Sequence, residues 1–138
     1  MPSSNYRLTE DRFAAIKAER AAEAAAKRQA RLDLAVPGNY ANMIGYSDVT
    51  PFEILKRTAK TITIREMAAR RSEDWTPKFT LGGFASHCTN NDDQSWDIVP
   101  NPSAPEVVAY LRKDGFFHSH FGRHAPSSTP RKKYDYNF

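Results

Sequence analysis

Phe52-Glu53-Ile54-Leu55-Lys56 and Thr61-Ile62-Thr63-Ile64-Arg65-Glu66-Met67, joined by Arg57-Thr58-Ala59-Lys60, are the stretch that decides the fold. Both segments are rich in β-branched residues and alternate apolar with polar side chains, as a half-buried strand does. A short polar connection between two such segments predicts an antiparallel hairpin.

Downstream, Phe79-Thr80-Leu81 running into Gly82-Gly83-Phe84 and Ser95-Trp96-Asp97-Ile98-Val99 are further candidate strands, the second ending at the proline-rich loop of Pro100, Pro102 and Pro105. A second hairpin is predicted from Val107 to Phe121, with Lys113-Asp114-Gly115 at its turn, because Asp-Gly supplies the backbone freedom that tight turns need. Pro126 to Lys133 has the composition of a flexible basic linker. Beyond it, Tyr134, Tyr136 and Phe138 alternate, as they would on one face of a closing strand. Several short strands at this spacing predict a mainly β domain, a small bent sheet or an SH3-like barrel, with α+β character overall because a helix precedes it.

That helix is predicted from Thr9 to Leu34. Thr9 can cap it, Glu10 and Asp11 favour its positive end, and alanines fill its interior. Its apolar stripe of Ala14, Ala18, Ala21, Ala22, Ala25 and Leu32, with Phe13 and Ile16 at the start, buries little area, so part of the helix projects as a solvated rod. Pro37-Gly38-Asn39 stops it. The domain division is therefore residues 1–36 as an alanine-rich helical extension and 37–138 as the compact β-rich domain. Removing the extension takes away mostly alanine and charge, which predicts a β domain indifferent to its loss.

The chain of 138 residues is 40% hydrophobic and 26% charged, the balance of a folded domain. The single Cys88 excludes an intramolecular disulfide and favours a reducing, intracellular setting. No apolar run approaches the length that spans a bilayer, so no membrane contact is expected. A net charge of +4 permits nucleic-acid contact without demanding it.

His118 and His120 share a strand face, His124 lies four residues on, and His87-Cys88 could approach across the sheet, residue types that suit zinc. One cysteine and no Cys-x-x-Cys unit argue against a closed tetrahedral site, so no metal or other cofactor is expected. His87 and Cys88 are adjacent on an extended chain and point to opposite faces, which denies Cys88 a neighbouring base. There is no Gly-Lys-Ser/Thr phosphate loop, no Gly-x-Ser-x-Gly elbow and no His-Glu-x-x-His. No catalytic residue is assigned, and a non-enzymatic protein is expected. Small barrels bind nucleic-acid strands with basic grooves and stacking aromatics. Lys56, Arg57, Lys60, Arg65 and Lys78, beside Trp75, are the residues expected to form a shared binding surface. Arg70, Arg71 and Arg131 to Lys133, with Phe79, Trp96 and Tyr110, are further ingredients.

Tyr46-Ser47-Asp48, Phe52-Glu53-Ile54, Lys60 to Arg65, Trp75-x-Pro77-x-Phe79, Gly82-Gly83-Phe84-x-x-His87-Cys88-x-Asn90, Trp96 and Tyr134-Asp135-Tyr136-Asn137-Phe138 resemble, in that order, a family of small uncharacterised proteins of bacteriophages and other mobile elements. The resemblance runs from about Gly45 to the end. It implies a setting inside a host cell and carries no activity with it. The resulting expectation is an accessory protein that binds a macromolecule through its β domain, either nucleic acid or, in an anti-CRISPR-like inhibitor, a host or phage protein. A small metal protein using the His/Cys cluster is the third reading.

Overall fold

The structure, a computed structural model, describes residues 4–81 and 86–137; Gly82, Gly83, Phe84 and Phe138, which carry part of the expected strands, lie outside the described residues. One helix, α1 (Ser4–Asp33), precedes the strands β1 (Tyr40–Ile44), β2 (Val49–Thr50), β3 (Phe52–Arg57), β4 (Thr61–Glu66), β5 (Ala68–Arg71), β6 (Phe79–Thr80), β7 (His87–Cys88), β8 (Trp96–Val99), β9 (Glu106–Leu111), β10 (Phe117–Ser119) and β11 (Gly122–Ser127). Six of them close into an antiparallel barrel in the order β1-β3-β4-β9-β10-β11, with β11 returning to β1 and β2 added beside β1. The mainly β architecture behind a leading helix, consistent with an SH3-like barrel, is therefore what the chain adopts.

The deciding hairpin forms where its pattern places it, as β3 and β4, and sends Phe52, Ile54, Ile62 and Ile64 into the barrel with Ala41, Ala109 and Phe117. Its ladder carries an irregularity. Ile54 pairs with Ile64 but Lys56 pairs with Thr63, so Leu55 is an extra residue in the ladder. Such a bulge reverses the alternation beyond it. Strict alternation would send Arg57 outward and Lys56 inward; instead Lys56 is exposed and Arg57, opposite Ile62, is half-buried.

The second hairpin also forms, with Gly115 at φ 83° in its turn and Asp114 accepting from the Phe116 N–H. It is shorter than expected. The chain reverses again after Ser119, and the segment from Gly122 becomes β11. Pro126 is inside this ladder, opposite Ala41 of β1, so the expected flexible linker begins only after a strand that closes the barrel. The residues beyond that strand are also held: Asn42 donates to the Thr129 carbonyl and accepts from the Arg131 N–H, and Lys133 bridges to Val49. The expected closing strand is not formed by residues 134–137, which run as coil and turn and leave Tyr134 about half exposed.

The helix begins at Ser4, before the expected start at Thr9, because no glycine or proline intervenes to stop it. Every described side chain from Arg7 to Lys27 is exposed, so this part projects. The last turns do not. Leu32 packs on the core, Ala35 is fully buried, Arg28 donates to the Lys113 carbonyl at 2.7 Å, and Arg31 lies 4.1 Å from the centre of the Phe116 ring. Gly38, at φ 92°, takes the left-handed conformation that turns the chain into the barrel.

Candidate nucleic-acid interface

Outside the barrel, β5 pairs with β8 in a separate ribbon whose register sets Arg70 opposite Asp97 and Arg71 opposite Trp96. The C-terminal segment lies beside this ribbon, held by side chains rather than by a strand ladder. Asp48 accepts from the Asp135 N–H at 2.7 Å, and Asn91 accepts from the Tyr136 N–H at 3.2 Å. Gln94 accepts from the Tyr134 N–H, donates to the Tyr134 carbonyl, and accepts from the Trp96 indole N–H at 2.9 Å. One amide thus fixes both the tail and the ring beside it.

The result is a groove. Its first part, a cavity of about 270 Å3, has Trp96 and Gln94 on one side and Arg131, Lys132 and Lys133 on the other. The Lys132 ammonium stands 5.8 Å from the centre of the Trp96 ring, while Lys133 pairs with Asp92 at 2.9 Å. Trp96 is shared with a second cavity of about 410 Å3, walled by Arg70, Arg71, Trp75 and Tyr136. There the Arg71 guanidinium donates to the Tyr136 hydroxyl at 3.4 Å, and the Trp75 and Tyr136 rings lie 5.8 Å apart. Four cations, Arg71, Arg131, Lys132 and Lys133, therefore border one run that exposes aromatic surface, while Arg70, opposite Asp97, belongs to the other face of the ribbon. Its carboxylates are Asp92, engaged with Lys133, and Glu73. Cations and aromatic faces side by side are the groups that strand-binding grooves use for phosphates and bases.

The six residues expected to share a surface are distributed differently. Lys56 and Lys60 are exposed at the turn end of the first hairpin, where the Lys60 carbonyl also accepts from Leu111. Arg57 faces inward and donates to the carbonyls of Leu32 and Ala35, with its guanidinium 5.1 Å from the Phe117 ring centre. Arg65 is held outside the barrel by Glu53, at 2.7 and 3.0 Å. Trp75 is 8% exposed and belongs to the second cavity of the groove, and Lys78 lies on the loop leading to β6, its N–H bonded to Asn90. The ribbon strand that leads to the Trp75 loop leaves the hairpin at its opposite end, roughly 15 Å along the strands from Lys56 and Lys60 at a rise of about 3.3 Å per residue. Of the six, only Trp75 lines the groove.

The histidines are separated by the same register logic. Phe117 pairs with His124 and His118 with Arg123, so His124 enters the barrel while His118 points outward to Asp114, 2.7 Å away. His120 stacks on Phe121. In β7, His87 is exposed and Cys88 buried, and the thiol donates to the Asn90 side-chain oxygen Oδ1 at 3.4 Å. Among the described residues no group of three His, Cys, Asp or Glu side chains is arranged to hold a metal ion, and no helix is long and apolar enough to cross a membrane.

Sequence reading named Trp75, Trp96, Arg71 and the Arg131 to Lys133 run by type, and missed Asn91, Gln94 and Tyr136 as the parts that assemble them. The signal was the run of short amide and acid side chains at Asn90 to Gln94, residues that bond backbone readily outside regular structure. Comparison of the chain with models of protein families, with curated proteins and with solved structures finds no match in any of the three.

Proposed function

We propose that this protein binds single-stranded nucleic acid along the groove centred on Trp96, as a non-enzymatic accessory protein of a phage or mobile element. The observation that carries the reading is the placement of Lys132 over the face of Trp96, with Arg131 beside it and Arg71 on the next cavity wall. A strand needs cations at the spacing of its phosphates and rings for its bases, and this is the surface where the two coincide. Stacking of a base on an aromatic ring is worth about 1–3 kcal/mol, and Trp96 is the half-buried ring that offers it here. The experiment is titration of the full chain with a single-stranded oligonucleotide at low salt, monitored by tryptophan fluorescence: saturable quenching supports the reading, and an unchanged signal with no change in oligonucleotide anisotropy contradicts it.

A second reading has its own observation. Val108 and Tyr110 lie on the outer face of β9, 44% and 52% exposed, opposite Thr63 and Thr61. An apolar pair on a closed barrel wall suits contact with a protein, the mode of an inhibitor of a host defence or host enzyme. Binding that survives nuclease treatment and is lost on Tyr110→Ser favours this reading over the first.

A further inference from the structure

Residues 134–137 form part of the groove without belonging to any sheet: they run as coil and turn, and side chains from elsewhere in the chain carry their backbone. Asp48 holds the Asp135 N–H, Asn91 the Tyr136 N–H, and Gln94 both backbone groups of Tyr134. The far end is fastened by Asn137, which takes the N–H and the carbonyl of Cys88. Bonds of this kind add little net stability each and are offset by the entropy of ordering the segment. The segment therefore opens while the barrel, closed by ladders, stays folded.

The groove depends on this segment at two points. Tyr136 lines the second cavity, with its ring 5.8 Å from that of Trp75 and its hydroxyl accepting from Arg71 at 3.4 Å. The Gln94 Oε1 that accepts from the Tyr134 N–H is also the acceptor of the Trp96 indole N–H. Opening thus takes Tyr136 out of the second cavity and frees the amide that orients Trp96. At the other end it uncovers Cys88, which is 2% exposed and lines neither cavity.

We propose that residues 134–137 are a strap which a bound strand closes, so that binding in the groove is coupled to protection of Cys88 on β7; the proposal rests on the strand-binding reading. A strand lying across both cavities touches Trp96 and Arg71 on the ribbon and Tyr136 on the strap, whereas the open form offers it the ribbon alone. A ligand shifts a two-state equilibrium by the ratio of its affinities for the two states. Loss of one ring for stacking sets that ratio at about tenfold.

The test follows the reaction of Cys88, the single cysteine, in the full chain with iodoacetamide and with the bulkier dithionitrobenzoate, while oligo(dT) binding is read by fluorescence anisotropy. Saturating oligo(dT) at low salt should slow both reagents about tenfold and to the same extent, because opening of the strap limits each. Arg131→Ala/Lys132→Ala, which weakens the strand's hold, should lose the protection at the same oligonucleotide concentration. Binding that leaves both rates unchanged overturns the strap alone. So does slowing confined to the bulkier reagent, since that is screening by the strand rather than closure. Failure of oligo(dT) to bind overturns the strand-binding reading, and the strap with it.

Discussion

Arg57 reaches from the barrel into the end of the helix and donates from its Nη1 to the Ala35 carbonyl at 3.0 Å, with the Leu32 carbonyl at 3.4 Å. The last carbonyls of a helix have no partners within it, and a cation placed there satisfies them and opposes the negative end of the helix dipole. Ala35, fully buried, and Leu32 pack on the same core. The helix is thus two things in sequence: a solvated rod to Lys27 and a cap on the barrel from Arg28.

Truncation separates the two. A chain starting at Lys27 should melt close to the full protein, since every described side chain before it is exposed. A chain starting at Pro37 loses Ala35, Leu32 and both acceptors of Arg57, and should be less stable by about 2 kcal/mol. Circular dichroism melts should show a fall of roughly 10 °C for the shorter chain only. Equal melting of all three would return the helix end to the extension that composition alone implies.

His124 makes stability depend on acidity. The imidazole is fully buried; its Nδ1–H donates to the Ala41 carbonyl and its Nε2 accepts from the Ser119 hydroxyl at 2.7 Å, a bonding pattern for the neutral ring. Burial pushes its pKa down to about 4 from 6.5, against the raising effect of the Ala41 carbonyl. The unfolded chain therefore takes up a proton as pH falls through 6.5, while the folded chain resists until about pH 4. Stability should be full above that window and fall by about 3 kcal/mol across it. Urea unfolding at stepped pH checks this. His124→Gln should be less stable at neutral pH and lack most of the decline between pH 6.5 and 4.

Asn137 closes both backbone hydrogen bonds of Cys88, accepting its N–H at 2.7 Å and donating to its carbonyl at 3.1 Å. It ties the tail to β7 over the buried thiol. Asn137→Ala should cost about 1–2 kcal/mol and speed the reaction of Cys88 with a thiol reagent several-fold, because the protecting segment opens more often. A thiol as slow to react as in the wild type would contradict that role.

The parts of the barrel that were legible in the sequence are those with uniform alternation, β3, β4 and β9. The closing strands were hidden because they break the pattern with polar residues and a proline in core positions. β1 carries the buried Asn42, satisfied by Thr129 and Arg131, and β11 carries the neutral His124 and Pro126. The bulge at Leu55 leaves no mark in composition, yet it turns Arg57 from a surface cation into a helix cap. In the groove, the rings and cations were legible as residue types. Their assembly was not, since it depends on Asp48, Asn91 and Gln94 bonding backbone 40 or more residues away.

The salt dependence of single-strand binding tests the groove most directly. Affinity for a single-stranded oligonucleotide should fall with salt at a log-log slope of about −0.7 for each phosphate neutralised. The Arg131→Ala/Lys132→Ala double variant, which leaves the barrel core untouched, should flatten that slope by roughly 0.7 for each lost contact and weaken binding at low salt, with an unchanged melt. Lys56→Ala/Lys60→Ala, on the far end of the first hairpin, should leave the slope as it is. No binding at low salt, or a slope that responds to Lys56 and Lys60 and not to Arg131 and Lys132, would contradict the assignment of the groove.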